Sequence, residues 1–216
     1  VNLRPCTVRE YREPFGGGGS VLFSMIRRQA AHSYWYNDLD PNVVNMFVVL
    51  RDHCDELHGA ILDLRERFGT GSQELFEIAE QMVHDPDPVT AAVGFWTRNR
   101  LSYGGANGKS KYNKGYTGES RGLRDQFIAR LWEFSALLQG VRITSMDYQD
   151  VLGEPGQDVF VFMDPPYDEV GDGLYAKGVI DVEEFASRVR QTDHSCLVTI
   201  GDNLERFDGL NVVRRT

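Results

Sequence analysis

The chain has 216 residues, 41% of them apolar and 25% charged, with a formal net charge of −9. Such a chain is not collagen-like, coiled-coil or fully disordered, and it is long enough to bury a core without a disulfide or metal staple. No apolar run approaches a membrane span, and no signal peptide is recognisable.

The predicted elements run as follows. VREYR at 8–12 reads as a short strand leading into EPFGGGGS at 13–20. SVLFSMIRRQ at 20–29 reads as a helix with Ser20 as its cap. HSYWYN at 32–37 is aromatic-rich and strand-like and ends at Asp38. The next helix covers 41–53, with Pro41 in its first turn. Strand, glycine turn, helix, strand and helix form the opening of a parallel α/β sheet. From about 54 to 100 three helical stretches follow. Residues 102–122 are Gly-rich and read as a loop or hairpin, and a further helix follows at 123–139. The α/β rhythm then resumes, with strands at 141–146 and 158–163, a helix at 181–191 and a strand at 195–200. The expected architecture is α/β, with helices on both faces of the sheet. A catalytic domain of residues 1–53 and 140–216 is interrupted by a mostly helical insertion at 54–139.

Charge is spread unevenly. Residues 98–130 carry eight basic side chains against Glu119 and Asp125, a net +6, which leaves −15 for the rest. A basic island in an acidic protein is a candidate phosphate-contacting surface, although the overall charge argues against nucleic acid. The three cysteines (Cys6, Cys54, Cys196) form no CxxC pair and the five histidines show no ligand spacing. Neither a zinc site nor a disulfide framework is expected, and a reducing, cytoplasmic setting fits.

Two motifs carry chemistry. Glycines after a first strand let the backbone turn tightly and approach a ligand. Asp38 lies nineteen residues after Gly19, close to the spacing at which an acid on the second strand meets ribose hydroxyls. A flexible linker or a surface loop is the bland alternative for GGGGS. The second motif is Asp164-Pro165-Pro166-Tyr167, directly after the apolar run VFVFM. It puts a carboxylate at the carboxyl end of a buried strand. The prolines stiffen the turn and remove two amide donors, so the turn offers acceptors, and a ring follows for stacking. Acceptors beside a ring suit a planar group with an exocyclic amine. A plain strand-to-loop turn is the alternative.

In this order, EPFGGGGS, YNDLDPNVVNMF, a helical insertion, DPPY and CLVTIGDN resemble the Dam-type (D12 class) N6-adenine DNA methyltransferases over most of the chain. The resemblance implies a Rossmann-like fold that takes S-adenosylmethionine and methylates adenine in double-stranded DNA. It implies that Glu13, Pro14, Phe15, Gly16 and Gly18 cradle the cofactor and that Asp38 binds its ribose. Asp147 lies near its adenine on this reading, or simply caps the helix that follows. Asp164 would also touch the cofactor, and with the Pro165 carbonyl it would accept hydrogen bonds from the target amine. Pro166 would stiffen that turn, and Tyr167 would stack on the flipped base. The insertion would meet DNA through Arg98, Arg100, Tyr103, Lys109, Lys111, Tyr112, Lys114, Arg121 and Arg124, or its loop is merely solvated. The resemblance further implies a bacterial or phage cytoplasmic setting with no membrane partner. A monomer or weak dimer is expected, and a cognate restriction endonuclease is an allowed partner. The aromatic-x-Gly-Gly-Lys segment usual near the family's start is not found here. Other readings are an amino-methyltransferase for cytosine N4 or ribosomal RNA guanine N2, and a non-catalytic DNA-binding relative. A dinucleotide oxidoreductase would leave DPPY unexplained.

Overall fold

Alternation along VFVFM decides how the sheet is covered. Val159, Val161 and Met163 point to one side and pack with Leu152, Phe185, Ala186 and Val189. Phe160 points to the other side and joins Tyr11, Tyr36, Leu22 and Phe47. A strand that is apolar on both faces must lie between two helical layers. The computed structural model describes residues 8–102, 111–112, 121–166 and 180–199. Among these residues are five parallel strands: β1 (Val8–Glu13), β2 (Ala31–Asn37), β3 (Arg142–Thr144), β4 (Val159–Met163) and β5 (Ser195–Val198). Their order is β3-β2-β1-β4-β5. The chain steps outward from β1 to β3, then returns to lay β4 on the other side of β1. Open α/β sheets hold ligands beyond the carboxyl ends of the strands at such a reversal.

Helices α1 (Ser20–Arg27) and α2 (Pro41–Asp52) follow β1 and β2, and α8 (Tyr148–Gly153) and α9 (Val182–Gln191) cover the other face. The insertion supplies α3 (Cys54–Phe68), α4 (Gln73–Met82), α5 (Pro88–Leu101), α6 (Asp125–Ile128) and α7 (Arg130–Leu138). The helix expected at 123–139 is thus two helices, which part at Ala129. Ser20 is not a cap. That place belongs to Gly19, whose φ of 67° suits glycine, and Ser20 is the first helical residue. Asp40 caps α2 by accepting from the Asn42 amide at 2.9 Å, with Pro41 at the first turn as expected.

One core runs from the sheet into the insertion, joining Tyr11 and Tyr36 to Ile61, Leu75, Val93 and Leu131. Helices α3, α4, α5, α6 and α7 are therefore continuous in packing with the α1 side of the sheet. Helix α5 lies against α2, α3 and α4. Its crossing with α4 depends on Gly94. A Cβ there would stand 2.6 Å from Met82 Cβ and 2.7 Å from the Ala79 carbonyl oxygen. Gly59, on α3, faces open space. Gly94→Ala is expected to destabilise the protein by ~1–3 kcal/mol through overpacking. Gly59→Ala is expected to be neutral or to stabilise by up to ~1 kcal/mol through helix propensity. Urea denaturation of the two variants checks both.

Candidate active site and nucleic-acid face

A cavity of about 1090 Å³ opens beyond the carboxyl ends of the strands. Glu13, Pro14, Phe15, Gly16, Gly18, Asp38, Asp147, Asp164 and Pro166 all line it. The glycine turn after β1 and the acidic turn after β4 are thus on one side of the sheet, because β1 and β4 are paired neighbours. Pro165 is buried in the turn, and Tyr167 lies outside the described residues.

Backbone and side-chain donors fix the glycine turn. The Gly16 amide donates to the Asn37 carbonyl at 2.8 Å and the Gly19 amide to the Gly16 carbonyl at 2.8 Å. The Gly17 amide donates to Asp38 Oδ2 at 2.8 Å, while Asp38 Oδ1 accepts from the Asp40 amide at 2.8 Å. The Tyr36 hydroxyl donates to the Gly17 carbonyl at 2.6 Å, and the Tyr36 ring stacks on Phe47 with centroids 4.1 Å apart. That ring fills the space beside Gly16, where a Cβ would meet it at 2.1 Å. Beside Gly18 nothing lies within 4 Å.

Asn37 is fully buried and joins the ends of β1 and β3. Its amide nitrogen donates to the Pro14 carbonyl at 2.9 Å and to the Met146 carbonyl at 3.0 Å. Its oxygen accepts from the Met146 amide at 2.9 Å and the Thr144 hydroxyl at 2.7 Å. Asp147, one residue on, caps α8 by accepting from the Gln149 amide at 2.9 Å. It lines the cavity as well, so both expectations for it meet at one carboxylate. Phe15 packs against Tyr148 at 5.4 Å and Phe185 at 6.0 Å, making an aromatic wall toward α8 and α9.

The cavity is acidic. Burial raises the Asp38 carboxyl, against the pull of the Asp40 and Gly17 amides. Burial also pushes Glu13 up to about 8, with the nearby charge of Asp164 acting in the same direction. The Tyr11 hydroxyl donates to Glu13 Oε2 at 2.6 Å. Asp164 is exposed, and its Oδ1 accepts from the Thr199 hydroxyl beyond β5.

The basic island is less uniform than its sequence. Arg98 is only 7% exposed, on the inward side of α5 among the insertion helices. Glu80 and Asp40 are the acids that act on it. It is not a surface phosphate contact, because α5 is packed on several sides and position 98 falls within that packing. Arg100 is half-buried with its guanidinium 3.6 Å from the Phe127 ring centroid. Burial, with the charges of Arg121 and Arg130, lowers it to about 10. Its Nη2 has no hydrogen-bond partner among the described residues. Arg121 donates to the Asn99 and Ser102 carbonyls at 3.1 and 3.3 Å and so braces the carboxyl end of α5. Ser102 and Tyr112 form an antiparallel bridge. Tyr112 is half-buried with its ring 6.0 Å from Phe76, Lys111 is exposed and Arg124 is half-buried. Tyr103, Lys109 and Lys114 lie outside the described residues.

Sequence reasoning missed Asn37, Thr199 and Tyr11. An acid one or two residues past a strand gave Asp38 and Asp164 away. A buried amide or a hydroxyl that reaches across strands has no local pattern.

The parallel sheet reversing beside β1, a glycine turn and an acid-lined cavity are the architecture of the Rossmann-like class. Residues 2–179 match the model of the D12 class N6 adenine-specific DNA methyltransferases, and the chain belongs to that family. It is also similar to the Type II methyltransferase M.MjaIII of Methanocaldococcus jannaschii, at 26% identity over 176 residues. The match covers 76% of this chain and 61% of that relative, so the chain spans less than two thirds of the relative's length.

Gly16→Ala is expected to lower the melting temperature by several degrees, because the methyl group collides with a stacked ring. Gly18→Ala is expected to leave the melting temperature unchanged, since its flank faces open space. Calorimetric scanning of both variants checks this.

Proposed function

We propose that this chain catalyses methyl transfer from S-adenosylmethionine to the N6 amine of adenine in double-stranded DNA. The observation that carries the reading is the shared cavity: the glycine turn and Asp164 line it from neighbouring parallel strands. Family membership agrees with it. The residues present suit the cofactor. Asp38 retains acceptor capacity for ribose hydroxyls, and Phe15 with Tyr148 offers an aromatic wall. The open flank at Gly18 admits close approach to the backbone. Glu13, Pro14, Gly16 and Asp147 complete that lining. When bound, S-adenosylmethionine supplies an electrophilic methyl group.

The target adenine must leave the duplex to reach this cavity, at roughly a few kcal/mol. Tyr167 stacks on the extruded base, which returns about 1–3 kcal/mol. Asp164 and the Pro165 carbonyl accept the two amine hydrogens. That localises the lone pair on nitrogen and stabilises the positive charge developing there. Thr199 fixes one oxygen of Asp164, so the carboxylate is oriented before substrate arrives. Direct in-line transfer then needs positioning more than covalent assistance. On the insertion, Arg100, Arg121 and Arg124 meet phosphates, helped by Lys109, Lys111 and Lys114 from the loop, and Tyr103 and Tyr112 support the base stack. No described helix is long and apolar enough to cross a membrane. A cytoplasmic setting and a cognate restriction endonuclease go with this reading.

Incubation of DNA with methyl-labelled S-adenosylmethionine is expected to yield N6-methyladenine. Asp164→Asn is expected to lower the rate about 10²–10³-fold while cofactor affinity is kept. Label in RNA, cytosine or protein would overturn the substrate assignment. An undiminished rate in the variant would overturn the mechanism.

A further inference from the structure

A buried carboxyl with a buried phenol as its donor is an uncommon neighbour for a ligand cavity. Tyr11 is fully buried and Glu13 is 2% exposed, yet Glu13 lines the cavity. Both lie on β1 and point to the same side of it, toward α1. The Tyr11 hydroxyl donates to Glu13 Oε2 at 2.6 Å, and the nearby Leu22 amide in the first turn of α1 favours the ionised carboxyl. Tyr36, buried on β2, feels the charges of Glu13, Asp38 and Asp40. Asp164 faces Glu13 from beyond β4. The other charged side chains lining the cavity are Asp147, Asp181, Glu184, Arg27 and Arg130. Both arginines are drawn to Glu133, at 2.6 and 3.8 Å. The groups acting directly on Glu13 are thus two neutral donors and a like charge. A carboxyl buried in this way and facing a second carboxylate ionises reluctantly.

We propose that Tyr11 and Glu13 are a proton-holding positioning pair: the empty protein keeps a proton on Glu13, and capture of a cationic methyl donor expels that proton to solvent. The inference rests on the proposed function, because the cation is the sulfonium of S-adenosylmethionine. No covalent bond other than the carboxyl O–H is broken, and the proton goes to buffer. Glu13, raised to about 8 from an ordinary value near 4.5, is mostly protonated at neutral pH. A cation in the cavity favours the ionised form, and the Tyr11 hydroxyl and Leu22 amide are already placed to receive it. The charge created offsets that of the ligand, which the carboxyl alone, still protonated, does not.

Linkage fixes the signs. Between pH 4.5 and 8 the folded empty protein holds a proton that the unfolded chain has lost. Its stability from this group is present at low pH and is lost as pH rises through about 8. Donor affinity moves the opposite way. It rises by up to about tenfold per pH unit below that value and flattens above it.

Titration calorimetry of S-adenosylmethionine at neutral pH, in buffers of different ionisation enthalpy, reads the proton directly. Wild type is expected to release a large fraction of one proton per donor bound. Glu13→Gln is expected to abolish that release and to flatten the fall of stability with pH in the empty protein. Tyr11→Phe, which keeps the ring, is expected to move the affinity profile to higher pH, since the anion has lost a donor. This variant keeps the test open if Glu13→Gln does not fold. Binding without proton release, or release undiminished in Glu13→Gln, overturns the pair while leaving the proposed function intact. An affinity profile unmoved in Tyr11→Phe reduces Tyr11 to packing and also overturns the pair. No binding of S-adenosylmethionine at any pH overturns the proposed function, and this inference with it.

Discussion

One buried side-chain amide holds the cavity together. Asn37 satisfies both hydrogens of its nitrogen and both lone pairs of its oxygen on four groups from the ends of β1 and β3. The residue is fully buried, so no water is at hand to replace a lost partner. Each group left unpaired costs about 1–3 kcal/mol, more than a surface contact of any kind contributes. Pro14 begins the glycine turn and Met146 precedes Asp147. The geometry of both walls therefore follows from the rotamer of one residue that lies between them. The Asn37 backbone adds to this by receiving the Gly16 amide.

Around that amide the site sets two tendencies against each other. Parallel strands that end together bring Glu13, Asp38 and Asp164 to one opening, and burial disfavours charge on the first two. The fold tolerates this because donors are built in: backbone amides for Asp38, Tyr11 and Leu22 for Glu13, Thr199 for Asp164. An acidic cavity prearranged in this way is suited to a cationic ligand and to a substrate that offers amine hydrogens. It is poorly suited to phosphate, which separates it from the dinucleotide sites that share its sheet. Among the basic side chains, Arg121 and Arg130 stand close enough to Arg100 to act on it.

The strands were legible because their chemistry is local. Alternation in VFVFM and aromatic β-formers in HSYWYN announce a buried parallel sheet, and the glycine turn and the acid at 164 announce its carboxyl edge. Asp38 could be read from its distance to the turn. What could not be read was set by contacts distant in sequence. Arg98 looks like its basic neighbours until α5 is found packed among three helices. Ser20 looks like a cap until Gly19 takes that place with a left-handed backbone. The break at Ala129 has no glycine or proline to mark it. Asn37 reads as the polar end of a strand, and only the positions of residues 14, 144 and 146 show it as a junction.

Under the proposed function the turn after β1 and the turn after β4 form a single binding site. Amide NMR spectra recorded while S-adenosylmethionine is added test it most directly. The account predicts that signals of Gly16, Gly17, Gly18 and Asp38 move together with those of Asp164 and Thr199, along one saturation curve. Movement confined to the glycine turn, or two curves with separate midpoints, would contradict it.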